Sequence, residues 1–272
     1  MCIPATPLLQ TKSEANFNVD ASSLGIAPMK SDFAFHRGNK TAKVRRSSRM
    51  MERCTFGNCS MYLKKFKTVI WDWNGTLLDD VTLSLSIVNE ILSEHNVPKL
   101  SLERYREIFD FPVRLYYERA GLDLSVVDFE IISGEFCYRF ESRLQLAPLF
   151  PSVNQALDQI SQSGARQFLL SSTEHHALNR MVKNFGLEGK FDAAKGMTDG
   201  LATGKLSAGK ELLDQFHIEP SHAVFIGDTV HDAEVADSLG IECLLISSGH
   251  HSHERLSRLK HPVFSTLDML FQ

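Results

Sequence analysis

The sequence predicts an α/β protein: a parallel β-sheet flanked by helices, with an all-helical unit inserted between its first two strands. Three observations carry this. Short apolar runs of strand length recur at Phe66–Trp71, Gln167–Ser171, Ala223–Ile226 and Cys243–Ile246. Between the later runs lie stretches with helical spacing, each closed by a glycine. Residues 82–146 show several helical periods and no good strand. Strands alternating with helices form βαβ units, and these build parallel sheets.

Residues 1–60 read differently from the rest. They hold nine Lys and Arg against four Asp and Glu, about +5, and no sustained period of 2 or 3.6. Three readings stay open. The segment is a disordered extension, or a targeting peptide, or a start codon assigned too early. Arg45, Arg46 and Arg49 beside Ser47 and Ser48 fit an organellar transit peptide, while the apolar stretch of a secretory signal is missing. Met61 opens Met-Tyr-Leu-Lys-Lys-Phe-Lys-Thr-Val, which looks like a natural start running into the first strand.

The whole chain is 272 residues with a formal net charge of -4, 43% hydrophobic and 23% charged. That is an ordinary globular composition, with nothing to attract nucleic acid or an anionic membrane. No apolar run approaches the ~18 residues of a membrane span. Cys2, Cys54, Cys59, Cys137 and Cys243 are odd in number and scattered, which fits a reducing cytoplasm better than a disulfide framework.

After the first strand, Leu83, Ile87, Val88, Ile91 and Leu92 line one helical face. Ser101 is placed to cap a helix through Ile108, Pro112 to sit in the first turn of another, and Glu130–Leu146 reads as a longer one. We expect 82–146 to form a separate lid over a core domain made of residues 61–81 and 147–272. In the core, Val153, Leu157 and Ile160 recur before Gly164. Leu178, Met181, Val182 and Phe185 do so before Gly186, and Ala233 to Leu239 before Gly240.

Ligands of open parallel sheets bind beyond the carboxyl ends of the strands. Asp72-Trp73-Asn74-Gly75-Thr76-Leu77-Leu78-Asp79-Asp80 follows the first strand. A carboxylate there can hold a metal or meet a substrate, and Gly75 lets the backbone turn and approach a phosphate; Asp-x-Asn-Gly is equally a common turn. Ser171-Ser172-Thr173 follows the second run. Its hydroxyls suit an anion, or cap a helix starting near Glu174. Lys205 can neutralise a phosphate or lie in solvent, and Lys210 is its rival. Asp228 and Asp232, four apart after Gly227, form an acidic edge for Mg²⁺, or cap the following helix.

The order of these pieces says more than any one of them. Asp-x-x-Gly-Thr, then Ser, then Lys, then Gly-Asp-x-x-x-Asp resembles the haloacid dehalogenase superfamily over roughly residues 64–272. The helical insert resembles the cap of its phosphoglycolate phosphatase-like subgroup. The resemblance implies a Rossmann-like core and a phosphatase of small phosphorylated metabolites, monomer or homodimer. It implies that Asp72 attacks phosphorus to give an aspartyl-phosphate. Mg²⁺ would be held by Asp72, the Asn74 carbonyl and Asp228, with Asp232 in support. Ser171 and Lys205 would hold the phosphoryl group, beside Gly75, Thr76 and Ser172.

One position departs from that pattern. The residue two after the nucleophile is usually an aspartate acting as general acid and base, and here it is Asn74. An amide cannot exchange a proton at neutral pH, and such catalysis contributes about 10²–10⁴-fold. Either the substrate has a good leaving group, or a cap residue or a nearby carboxylate such as Asp79 or Asp80 supplies the proton, or the protein is a slow enzyme or an inactive phosphate-binding module. On the first reading, Asn74→Asp raises turnover of alkyl phosphates more than of aryl or acyl phosphates. In the insert, Arg114 is the candidate to meet an anionic substrate, or is a solvated residue of the cap surface. Lys99, the one lysine there, gives no persuasive Schiff-base site for a phosphonate hydrolase. His175, His176, His250, His251 and His253 read as surface residues, and Trp71 and Trp73 as packing.

Overall fold

The computed structural model describes residues 62–197 and 204–271. The expectations for residues 1–60 fall outside them.

Six parallel strands form one sheet in the order β3-β2-β1-β4-β5-β6. They are β1 (Thr68–Trp71), β2 (Arg166–Glu174), β3 (Ala193–Met197), β4 (Ala223–Gly227), β5 (Glu242–Ile246) and β6 (Val263–Phe264). β1 lies at the centre, between β2 and β4. Trp71 is in register with Leu169 on one side and Ile226 on the other, so the residues just beyond these strands emerge side by side. Side chains alternate across the sheet. Val69, Leu169, Val224 and Leu244 enter one apolar layer, and Ile70, Phe168, Phe225 and Cys243 enter the other. Burial on both faces explains why these strands read as continuous apolar runs.

Between β1 and β2 the chain is helical: α1 (Val81–Glu94), α2 (Leu102–Ile108), α3 (Val113–Ala120), α4 (Phe129–Ser142) and a 3-10 turn over Leu144–Leu146. The predicted face of α1 is buried throughout. Ser101 caps α2, accepting from the Arg104 N–H at 3.1 Å. Pro112 is the residue before α3 rather than within its first turn. The helix expected over 130–146 stops at Ser142, where Arg143 leaves helical geometry (φ -119°, ψ 15°). The remaining helices are α5 (Val153–Gln162), α6 (His175–Asn184), α7 (Gly204–Gln215), α8 (Val230–Leu239) and the short α9 (His253–Leu256).

β3 and β6 have no counterpart in the sequence reading. β3 is Ala-Ala-Lys-Gly-Met, a half-buried edge strand without a β-branched run. Its pairing with β2 imposes it. The second strand runs on to Glu174, so Ser171–Thr173 lie within its last residues and not beyond it.

Candidate active site

The carboxyl ends of β1 and β4 bring three acids together. One carboxylate oxygen from each of Asp72, Asp228 and Asp232 lies within 4.8 Å of the others, and all three residues are buried. The Asp72 N–H donates to the Ile226 carbonyl at 2.8 Å, which continues the β1–β4 ladder one residue past the strand. Lys205, in the first turn of α7 and 2% exposed, donates to Asp72 Oδ1 and to Asp232 Oδ1, each at 2.5 Å. Of the two lysines the sequence offered, Lys205 joins the cluster and Lys210 is exposed.

Asp232 has two tasks. Thr229 caps α8, and Asp232 Oδ2 accepts from the Asp228 and Thr229 N–H groups and from the Thr229 hydroxyl. Its Oδ1 is left for Lys205. Capping therefore accounts for Asp232 in part and for Asp228 not at all. Asp228 is held from elsewhere, by the Thr76 hydroxyl at 3.1 Å and the His250 N–H at 2.6 Å. Gly75 (φ +76°) and Gly249 close over it. A Cβ on Gly75 would lie 2.3 Å from Asp228 Oδ2, and one on Gly249 would lie 2.2 Å from it. Gly75 thus packs closely on Asp228 and His250, and the Thr76 hydroxyl orients Asp228.

The electrostatics follow from one cation among three acids. Burial raises the Asp72 carboxyl to about 7, with Lys205 opposing and Asp232 assisting. Burial and the neighbouring carboxylates likewise push Asp228 well up. Burial acts on Asp232 too, but Lys205 and the Thr229 hydroxyl outweigh it and bring it down to about 2. Lys205 is held above its usual range by the two carboxylates, against its own burial. A buried set of three carboxylates and one ammonium has room for a cation's charge. Its donors are hard oxygens of the kind Mg²⁺ takes, so the residues present fit a divalent ion.

Around this centre the other predicted residues sort clearly. Ser171 is buried at the end of β2, its hydroxyl accepting from the Thr173 N–H at 3.1 Å. Glu174, not Ser171 or Ser172, caps α6, accepting from the His176 and Ala177 N–H groups at 2.8 Å each. The strand alternates, so Ser171 and Thr173 are buried while Ser172 is half-buried. Thr173 donates to Asn74 Oδ1 at 2.7 Å. Asn74 Nδ2 donates in turn to Asp80 Oδ2 at 2.9 Å.

Arg114 is not brought to the site. It is half-exposed, 3.6 Å from Glu118 and over the Phe129 ring. Arg106 is the insert arginine that reaches the core, donating to the Ser248 and Gly249 carbonyls. Trp71 and Trp73 are fully buried, as expected for packing.

The reading of His250 and His251 as surface residues is wrong. They are 1% and 0% exposed. His250 Nε2 is 3.2 Å from Asp80 Oδ1 and its Nδ1 is 2.8 Å from the Tyr105 hydroxyl. Burial would lower its pKa, but Asp80 outweighs burial and raises it. His251 Nδ1 accepts from the Val230 N–H and its Nε2 meets the Phe109 carbonyl, both at 2.9 Å, which fixes a neutral tautomer. These contacts join the insert to the core. The signal was available: Ser247-Ser248-Gly249-His250-His251 directly follows β5, the position where site residues collect.

A buried acidic cluster bridged by lysine thus lies at the ends of the central parallel strands of an α/β core, and the helical insert bonds to the loop after β5 beside it. The haloacid dehalogenase-like hydrolase family model matches residues 69–246, and the chain belongs to that family. A phosphoglycolate phosphatase of Rhodobacter capsulatus is 24% identical over 188 residues, covering 67% of this chain and 84% of that protein. The tyrosine-protein kinase PtkA of Mycobacterium tuberculosis is 25% identical over 183 residues, covering 67% and 62%. A haloacid dehalogenase-like family hydrolase from Streptococcus pneumoniae shares the fold with a TM-score of 0.62 and 21% identity, over 76% of this chain and 99% of that one.

Proposed function

We propose that the chain is a Mg²⁺-dependent phosphoric monoester hydrolase of small phosphorylated metabolites, with Asp72 as nucleophile. The observation that carries this is the Lys205 bridge: one buried ammonium 2.5 Å from both Asp72 and Asp232, with Asp228 in the same cluster. An inactive binding module has no need to bury three carboxylates around one lysine, since unpaired buried charge is costly. The family membership and the phosphatase relatives support the same class of reaction.

Asp72 attacks phosphorus as the leaving oxygen departs, and water then releases the phosphoryl group from the aspartyl-phosphate. Lys205 fixes the nucleophile and offsets charge on the transferring group. The Ser171 hydroxyl and the residues of the Asp72 loop position that group. Asp72, the Asn74 carbonyl and Asp228 would hold Mg²⁺, with Asp232 behind them; the ion supplies charge stabilisation to the phosphoryl oxygens. Asn74 supplies no proton, so aryl and acyl phosphates turn over faster than alkyl phosphates. Purified protein with p-nitrophenyl phosphate tests this. Turnover requires Mg²⁺, and EDTA or Asp72→Asn abolishes it; turnover that survives either one overturns the mechanism.

A further inference from the structure

Asn74 is 6% exposed, and both ends of its amide are engaged. Its orientation is decided by its neighbours. A carboxylate only accepts hydrogen bonds, so the NH₂ group faces Asp80 and the carbonyl oxygen takes the Thr173 hydroxyl.

Asp80 is 1% exposed and its two oxygens face four partners. Oδ1 takes the Gly75 N–H at 2.8 Å and faces His250 Nε2 at 3.2 Å. Oδ2 takes Asn74 Nδ2 at 2.9 Å and the Ser84 hydroxyl at 3.2 Å. This ring fits a carboxylate. With its two oxygens facing these four partners, Asp80 lies behind Asn74 and acts through it.

We propose that Asp80 and Asn74 form a reciprocal pair, in which the Asp80 carboxylate positions the side chain at 74 and requires it to be an amide. The catalytic consequence rests on the phosphoryl-transfer reading above. Asn74→Asp alone would set one carboxylate oxygen against another at the 2.9 Å now spanned by the Asn74 bond. Any proton the new carboxyl held would be turned to Asp80 and away from a leaving group. Exchange of the pair, Asn74→Asp with Asp80→Asn, removes the conflict. The amide now at position 80 gives one hydrogen to the carboxylate at position 74 and the other to Ser84, and its oxygen still accepts from Gly75 and His250. The carboxylate at position 74 keeps the Thr173 hydroxyl and has a free lone pair to carry a proton. The expectation that Asn74→Asp alone restores acid catalysis is therefore replaced by one in which both positions must change.

The test is a double-mutant cycle of wild type, Asn74→Asp, Asp80→Asn and the double variant. Melting temperature and turnover of an alkyl and an aryl phosphate are read for each. The double variant loses less melting temperature than the two single losses combined. Its alkyl-to-aryl turnover ratio rises about a hundredfold over wild type, while Asn74→Asp alone raises the ratio little. If Asn74→Asp does not fold, recovery of folding by Asp80→Asn supports the pair and failure to recover it overturns the pair. Additive melting losses, or an equal rise in the ratio from Asn74→Asp alone, also overturn it. Coupled melting losses with no turnover in any of the four proteins uphold the pair and remove the phosphatase reading.

Discussion

Removing the charge of Asp72 should stabilise the metal-free protein, and the gain should grow with pH. Burial raises the Asp72 carboxyl from an ordinary 3.8 to about 7. A carboxyl whose folded-state pKa is raised favours the fold below its unfolded pKa, and that advantage is lost as pH rises through the folded value. At about 1.4 kcal/mol per unit, the whole shift is worth about 4 kcal/mol, and the part crossed between pH 5 and pH 8 about 3 kcal/mol. Asp72→Asn keeps the shape and leaves Lys205 paired with Asp232. Urea denaturation of both proteins in EDTA should move the difference in unfolding free energy toward the variant by about 3 kcal/mol from pH 5 to pH 8. Added Mg²⁺ at pH 8 should close the gap, because an ion that binds the folded form stabilises it. A difference that does not change with pH, or that moves toward wild type, would refute this account of the cluster.

Three other outcomes follow from the geometry. Gly249→Ala puts a methyl 2.2 Å from Asp228 Oδ2 and 2.4 Å from the Gly75 carbonyl; thermal melts should fall by roughly 3–10 °C, as overpacking predicts. Thr76→Val removes the hydroxyl that orients Asp228, and a Mg²⁺ titration of turnover should show about tenfold weaker apparent affinity. His251 is lowered to about 3, chiefly by burial and then by Arg255. Its contribution is complete above pH 6.5 and is lost as pH falls toward 3. Wild type should therefore lose about 2 kcal/mol more than His251→Asn between pH 7 and pH 5 by urea denaturation.

The parallel sheet was legible because its central strands are buried on both faces and so are written as apolar runs. β3 was not, because an edge strand of small residues owes its form to β2 and not to its own sequence. Asp72, Lys205, Asp228 and Asp232 were legible as motifs in order, and the fold brings these four together. The environment of Asn74 was not. Asp80 lies in the same loop, but Thr173 and His250 reach Asn74 and Asp80 from distant segments, and pairings over such separations leave no local pattern. His250 and His251 were misread because a histidine pair in a polar loop has no period to reveal burial; their partners lie in α2, in the residue after it and at the start of α8. Arg114 was misplaced because the sequence shows that α3 begins nearby but not which way its first turn faces.

The central claim is that Asp72 takes up the phosphoryl group. Protein quenched in acid during turnover of p-nitrophenyl phosphate with Mg²⁺, then digested and analysed by mass spectrometry, tests it most directly. The account predicts a phosphoryl adduct on the peptide containing Asp72, absent with EDTA and in Asp72→Asn. Sustained turnover with no adduct on that peptide, or an adduct that persists in Asp72→Asn, would contradict it.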